Sequence, residues 1–119
     1  MPRYREISAT EARLLMQQRP ETLMVDMRDA YAFKQHHYTD AIHLDETTLK
    51  RLLKNTPRAT PVVVVCYHGN SSKDIAQLFE DFGFTESFSL SGGYDAWLKL
   101  PSTAPAETCS DLNLAGSSR

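Results

Sequence analysis

The run PVVVVCY, from Pro61 to Tyr67, constrains this chain more than any other stretch. Four consecutive valines put β-branched apolar side chains on both alternating faces, the mark of a strand covered on both sides inside a parallel sheet. A cysteine stands where the valines stop and a small polar loop begins.

Downstream, SSKDIAQLFEDFGF carries Ile75, Leu78, Phe79 and Phe82 at helical spacing, and Gly83 is placed to close that helix in a left-handed cap. Cys66 is therefore predicted to lie between a buried strand and a helix. Upstream, Ser8 and Glu11 have capping-box spacing and Ala12, Leu15 and Met16 recur on one face, predicting a helix over Ala9–Gln18 that Pro20 helps to close. TLMVDMR, from Thr22 to Arg28, reads as a strand ended by Asp26 and Arg28, and DAYAFKQHH as a short helix opening at Asp29. AIHL, from Ala41 to Leu44, predicts a short strand. DETTLKRLLKN after it is a helix with Leu49, Leu52 and Leu53 on one stripe, and Pro57 and Pro61 frame a loop. SFSLSGGYDAWLKL predicts a last strand, a turn at Gly92 and Gly93, and a short helix carrying Trp97 into the core. Strands and helices alternate throughout, so the expected class is α/β, a central mostly parallel sheet flanked by helices.

A length of 119 residues fits one domain. That domain is expected over residues 1–100. From Pro101 to Arg119 the chain turns to Pro, Ser, Thr, Ala and Gly with few large apolar residues, and a flexible polar tail that includes Cys109 is expected there. Thirteen Lys plus Arg against fifteen Asp plus Glu give a formal charge of -2, without the basic excess of a nucleic-acid or anionic-membrane surface. The chain is charged within its first six residues and shows no apolar signal segment there, and no apolar run reaches the roughly 18 residues of a membrane span. A soluble cytoplasmic protein, monomer or weak dimer, is expected. Two cysteines make no disulfide framework, and neither CxxC nor paired-histidine spacing suggests zinc. His36, His37 and His43 read as turn and strand-end residues, and no metal or cofactor is expected.

Ligands gather at the carboxyl ends of strands in an open parallel sheet, which is where Cys66 is predicted to sit. In the loop that follows, Gly69 and Asn70 accept left-handed backbone angles. Such a loop curls so that its N–H groups, with the positive end of the following helix, converge on the sulfur. A thiol held in this way drops from about 8.5 into the range of roughly 3.5 to 7.5. His68 and Lys73 are candidates for added positive potential at the mouth. By themselves the residues leave two readings open, a nucleophilic thiolate in an anion cradle and a small hydrophobe that merely finishes a strand.

At these residues the sequence resembles the rhodanese family. CYHGNSSK is similar to the family's active loop, and VDMRDAYAFKQHHYTDAIHL resembles its first signature through Asp26, Arg28, Phe33, His37 and Ala41. His36 and Asp40 stand where that signature customarily has glycine. LSGGYDAWLKL resembles the second signature through Gly92, Gly93, Tyr94 and Trp97, so the likeness covers about residues 5–100. The resemblance implies that Cys66 becomes a persulfide and that Tyr67, His68, Gly69, Asn70, Ser71 and Ser72 form the loop around it. Asp26, Arg28, His37 and Lys73 are implied as scaffold near the site. It implies sulfur transfer from thiosulfate to a thiophilic acceptor such as cyanide, a small dithiol or a thioredoxin-like protein, by double displacement. Two rivals are weighed against it. A cysteine phosphatase or arsenate reductase would require Cys-x5-Arg, but the sixth residue after Cys66 is Ser72, and Lys73 lacks the planar fork of arginine. A non-catalytic persulfide carrier in a sulfur relay would share both fold and loop.

Overall fold

In a computed structural model that describes residues 4–100, the elements follow the order β1 (Arg5–Ile7), α1 (Ala9–Gln18), β2 (Leu23–Asp26), α2 (Ala30–Gln35), β3 (Ile42–His43), α3 (Glu46–Asn55), β4 (Val62–Val65), α4 (Ser72–Asp81), β5 (Ser87–Leu90) and α5 (Gly93–Leu98). The five strands form one sheet in the order β1-β5-β4-β2-β3, with every neighbouring pair parallel. The expected tail from Pro101, with Cys109, lies outside the described residues.

The valine strand is the centre of that sheet. Val63 pairs with Met24 of β2 on one side and Phe88 of β5 on the other, and all four valines are fully buried. Their alternation divides the interior. Val63 and Val65 join Met24, Leu90 and Tyr94 in a core under α1 and α5, whereas Val62 and Val64 join Val25, Leu52, Ala76 and Phe79 in a core under α3 and α4. A strand that must be apolar on both faces is what sandwiching between two helical layers demands.

The predicted elements form where expected, most of them shorter than the stretches that predict them, and the helix caps hold. Ser8 accepts a hydrogen bond from the Glu11 backbone N–H, while the Glu11 carboxylate accepts one from the Ser8 N–H, both at 3.0 Å, and α1 runs over Ala9–Gln18. Asp29 and Asp45 cap α2 and α3 through the N–H groups of Ala32 and Thr48. Gly83 adopts a left-handed φ of 98° after α4. Three details differ. The edge strand β1 was not expected, because it has three residues of which only Ile7 is buried. Phe82, placed on the buried stripe of α4, is 49% exposed, and Phe84 beyond the glycine turns inward to meet Phe79 edge-on at 5.1 Å. Trp97 packs against the core while partly exposed, edge-on to Tyr38 at 5.3 Å, and it is Tyr94 of α5 that is buried.

Candidate active site

Cys66 follows the last valine, so it lies at the carboxyl end of the central strand, on the face that α4 covers. Continuing the alternation past Val65 points its side chain to the same side as Val62 and Val64. Five residues then separate the cysteine from the first turn of α4. Gly69 takes a φ of 95°, a left-handed angle, and turns the loop back so that its N–H reaches Cys66 Sγ at 3.0 Å. A Cβ on Gly69 would come within 2.8 Å of the Gly92 backbone nitrogen, so glycine is required there on two counts. Ser72, the first residue of α4, brings its hydroxyl oxygen to 3.3 Å from Cys66 Sγ.

Burial pushes the Cys66 thiol up, but the Ser72 hydroxyl and the backbone N–H groups of Ser72, Gly69 and His68 together outweigh it and hold the thiol below its ordinary range. The groups that stabilise the anion are thus first the Ser72 hydroxyl and then three main-chain N–H groups, that of Ser72 at the start of α4 and those of Gly69 and His68 in the loop. The sulfur's surroundings are tight: Cys66 is 5% exposed, while Tyr67, His68, Asn70 and Ser71 stand at the surface around it.

The other half of the loop's geometry comes from α5. The Tyr94 N–H donates to the Cys66 carbonyl at 2.7 Å and the Asp95 N–H to the Tyr67 carbonyl at 3.4 Å. Peptide groups whose carbonyls are drawn toward α5 are left with N–H groups facing the other way. The Gly-Gly turn makes this approach possible, because a Cβ on Gly93 would come within 2.5 Å of the Cys66 and Tyr67 carbonyl oxygens. Tyr94 is itself locked from the side. Arg28 lies 3.9 Å from its ring centroid, and its hydroxyl bonds to His36 Nδ1.

Arg28 is held in turn by a buried fork to Asp26, with Nε to Oδ1 at 2.9 Å and Nη2 to Oδ2 at 2.7 Å, and it also donates to the His36 carbonyl. Asp26 is 1% exposed, so losing the guanidinium would strand a buried carboxylate at a cost of about 3–5 kcal/mol. This pair supports the site through Tyr94 and does not touch the sulfur. His36, at a position customarily glycine in the resembling signature, closes α2 in extended backbone (φ −166°), which any residue adopts. That geometry explains why the replacement is tolerated.

The remaining predicted residues scatter. His37 stacks on Phe33 with centroids 3.8 Å apart and bonds to the Phe33 carbonyl, so its described contacts are with α2 and not with the cysteine loop. Lys73 turns toward β1, 3.8 Å from Glu6, which takes up its charge. His68 is exposed and contributes through its backbone N–H alone. Tyr67 is anchored by its hydroxyl to Asp29, a bond that raises the phenol, while the Asp29 carboxyl is lowered by the same bond and then by the Ala32 N–H. His43 bonds to the Arg28 carbonyl at 2.8 Å.

Sequence reasoning did not find Ser89, whose hydroxyl lies 2.7 Å from that of Ser72 with both residues fully buried. Its signal was present. Ser87 and Ser89 alternate with Phe88 and Leu90 along a buried strand, and small polar side chains on one face of such a strand call for partners, which α4 supplies at Ala76 and Ser72.

A protein-family model described as the rhodanese-like domain matches residues 8–100. Among curated proteins, the chain is 36% identical over 97 residues to the thiosulfate sulfurtransferase GlpE of Tolumonas auensis, an alignment covering 82% of this chain and 91% of that protein. It is 35% identical over 108 residues to the protein of the same name from Pseudomonas syringae pv. syringae, covering 91% and 97%. Among solved structures, a rhodanese-like domain from Anabaena superposes with a TM-score of 0.69 at 20% identity, covering 98% of this chain and 93% of that one.

Proposed function

The chain belongs to the rhodanese-like domain family, and from that premise we propose that it is a thiosulfate sulfurtransferase with Cys66 as its nucleophile. One observation carries the reading. The Cys66 sulfur, lowered below the ordinary thiol range, lies in a cradle of N–H groups and a hydroxyl with no carboxylate in the loop. Such a cradle stabilises a thiolate and attracts a dianion with the same groups.

The Cys66 thiolate attacks the outer, sulfane sulfur of thiosulfate. A new S–S bond forms as the old one breaks, and sulfite leaves with the bonding electron pair. Sulfite is a stable leaving group, so no general acid is needed. In the second half, a thiophilic acceptor such as cyanide or a small or thioredoxin-like dithiol attacks the terminal sulfur and returns the cysteine to its thiolate. The loop residues Tyr67 to Ser72 form the anion site, and Asp26, Arg28 and Tyr94 hold its frame. The cytoplasm suits this chemistry, since a reducing compartment keeps the thiol free.

Phosphoryl transfer fits the site less well. A cysteine phosphatase needs a guanidinium on the sixth residue after the cysteine to grip phosphoryl oxygens, and here that residue is a serine turned in to the sulfur. A carrier module would share the fold, and assay separates it from an enzyme. With thiosulfate and cyanide the protein is expected to form thiocyanate with ping-pong kinetics, and intact mass after thiosulfate alone should gain one sulfur that a dithiol removes. Thiocyanate no faster than with Cys66→Ser would reject the enzyme reading, and a persulfide mass without turnover would indicate the carrier.

A further inference from the structure

We propose that Ser89 is a positioning residue that turns the Ser72 hydroxyl toward the Cys66 sulfur. It touches neither the sulfur nor a substrate and acts through Ser72. The inference deepens the sulfurtransferase reading and rests on it only for its consequence in turnover.

Three side chains make a buried line from β5 to β4 across the first turn of α4. Ser89 Oγ lies 2.7 Å from Ser72 Oγ, which lies 3.3 Å from Cys66 Sγ, and the three residues are 0%, 0% and 5% exposed. The direction of the first link follows from counting protons. Ser89 has Ser72 Oγ as its partner among the described side chains. If Ser72 donated to Ser89, the Ser89 proton would be buried without an acceptor, an arrangement that buried polar groups avoid. If Ser89 donates, the Ser72 proton is free to point at the sulfur, and both links are filled.

The same count favours one state of the sulfur. As a thiol the line holds three protons for two links, so one of them finds no acceptor. As a thiolate it holds two protons for two links. The arrangement is complete only after the sulfur has lost its proton. By donating into Ser72 Oγ, Ser89 also polarises the Ser72 O–H, and bonds in such a chain strengthen one another. The Ser87 hydroxyl on the same face of β5 shows the contrast: it donates to the Ala76 carbonyl, a bond that fastens α4 to the sheet and leads nowhere near the sulfur.

The test is a double-mutant cycle read by the pH profile of Cys66 alkylation with iodoacetamide, which needs no thiosulfate chemistry. Ser89→Ala should slow alkylation about threefold on the acid limb of the profile, as expected from losing the reinforcement of one charge-assisted bond. Ser72→Ala should slow it more. In the Ser72→Ala background, Ser89→Ala should change nothing further, because its route to the sulfur is gone. Ser89→Thr keeps a hydroxyl and should recover most of the loss, while thermal melts identify any variant that is poorly folded. Equal slowing by Ser89→Ala with and without Ser72 would overturn the proposal, as would an unchanged profile in Ser89→Ala. If the cycle behaves as expected and thiocyanate is still not formed, the positioning role stands and the sulfurtransferase reading falls.

Discussion

On the sulfur of Cys66 two influences of opposite sign meet, burial against a set of donors, and the donors prevail. The sign of the pH dependence follows. A thiol whose folded pKa lies below its unfolded value is deprotonated earlier in the native protein, so the unfolded chain binds more protons in the window between the two values. Stability gained from the site is fully present above the unfolded value and is lost as pH falls through the folded one. Alkylation of the native protein should therefore reach half its maximum at a lower pH than alkylation of the same protein in urea, and a native profile at or above the unfolded one would contradict the cradle. At this scale the sequence was informative where chemistry is local. Cys66 and Gly69 stand out because one carries a thiol and the other a backbone freedom that the turn needs. Ser89 did not stand out, and Tyr94 did so only as part of a resembling signature, since each meets the loop from a distant part of the chain and only the fold brings them there.

Among the elements, α5 is the one whose contribution is least visible in its own composition. Its first two N–H groups beyond the turn hold the Cys66 and Tyr67 carbonyls, and its Gly-Gly start is what lets the backbones approach. Gly93→Ala would put a methyl carbon within 2.5 Å of two carbonyl oxygens, at a left-handed φ of 62°. Overpacking against backbone together with a strained angle is expected to cost about 2–4 kcal/mol of stability. Turnover should fall at least about tenfold even at temperatures where the variant is folded, because a displacement of the loop by an ångström misaims its donors. Denaturant melts and kcat/KM measure the two effects separately, and a variant with normal kcat/KM would show that α5 does not set the loop. The helices α1, α3 and α4 were legible because caps and apolar spacing are written locally. The strand β1 was not, because three residues with one buried side chain give no periodicity, and its place is fixed by pairing of Ile7 with Leu90.

For the molecule as a whole, the class was legible and the strand order was not. Alternating strand and helix patterns predict a parallel sheet, but which strands become neighbours depends on how each helical crossover packs, and no short window records that. The result puts β4 between β5 and β2, with β1 and β3 at the edges. Amide exchange should follow this order. The amides of Val63 to Val65 are expected to open only with global unfolding, while those of the three-residue β1 and two-residue β3 exchange through local fraying. Protection of β1 equal to that of β4 would mean that the edge is far more cooperative than its pairing suggests.

The clasp between α5 and the cysteine loop also orders events in time. Synthesis runs from the amino terminus, so Cys66 emerges before the residues that draw its carbonyls away from the sulfur's side. Until Gly93 to Asp95 have been made and docked, the nascent chain carries an ordinary thiol in an unshaped loop. The lowering of the Cys66 thiol by its donors is therefore acquired only when the fold is completed, late in the making of the chain.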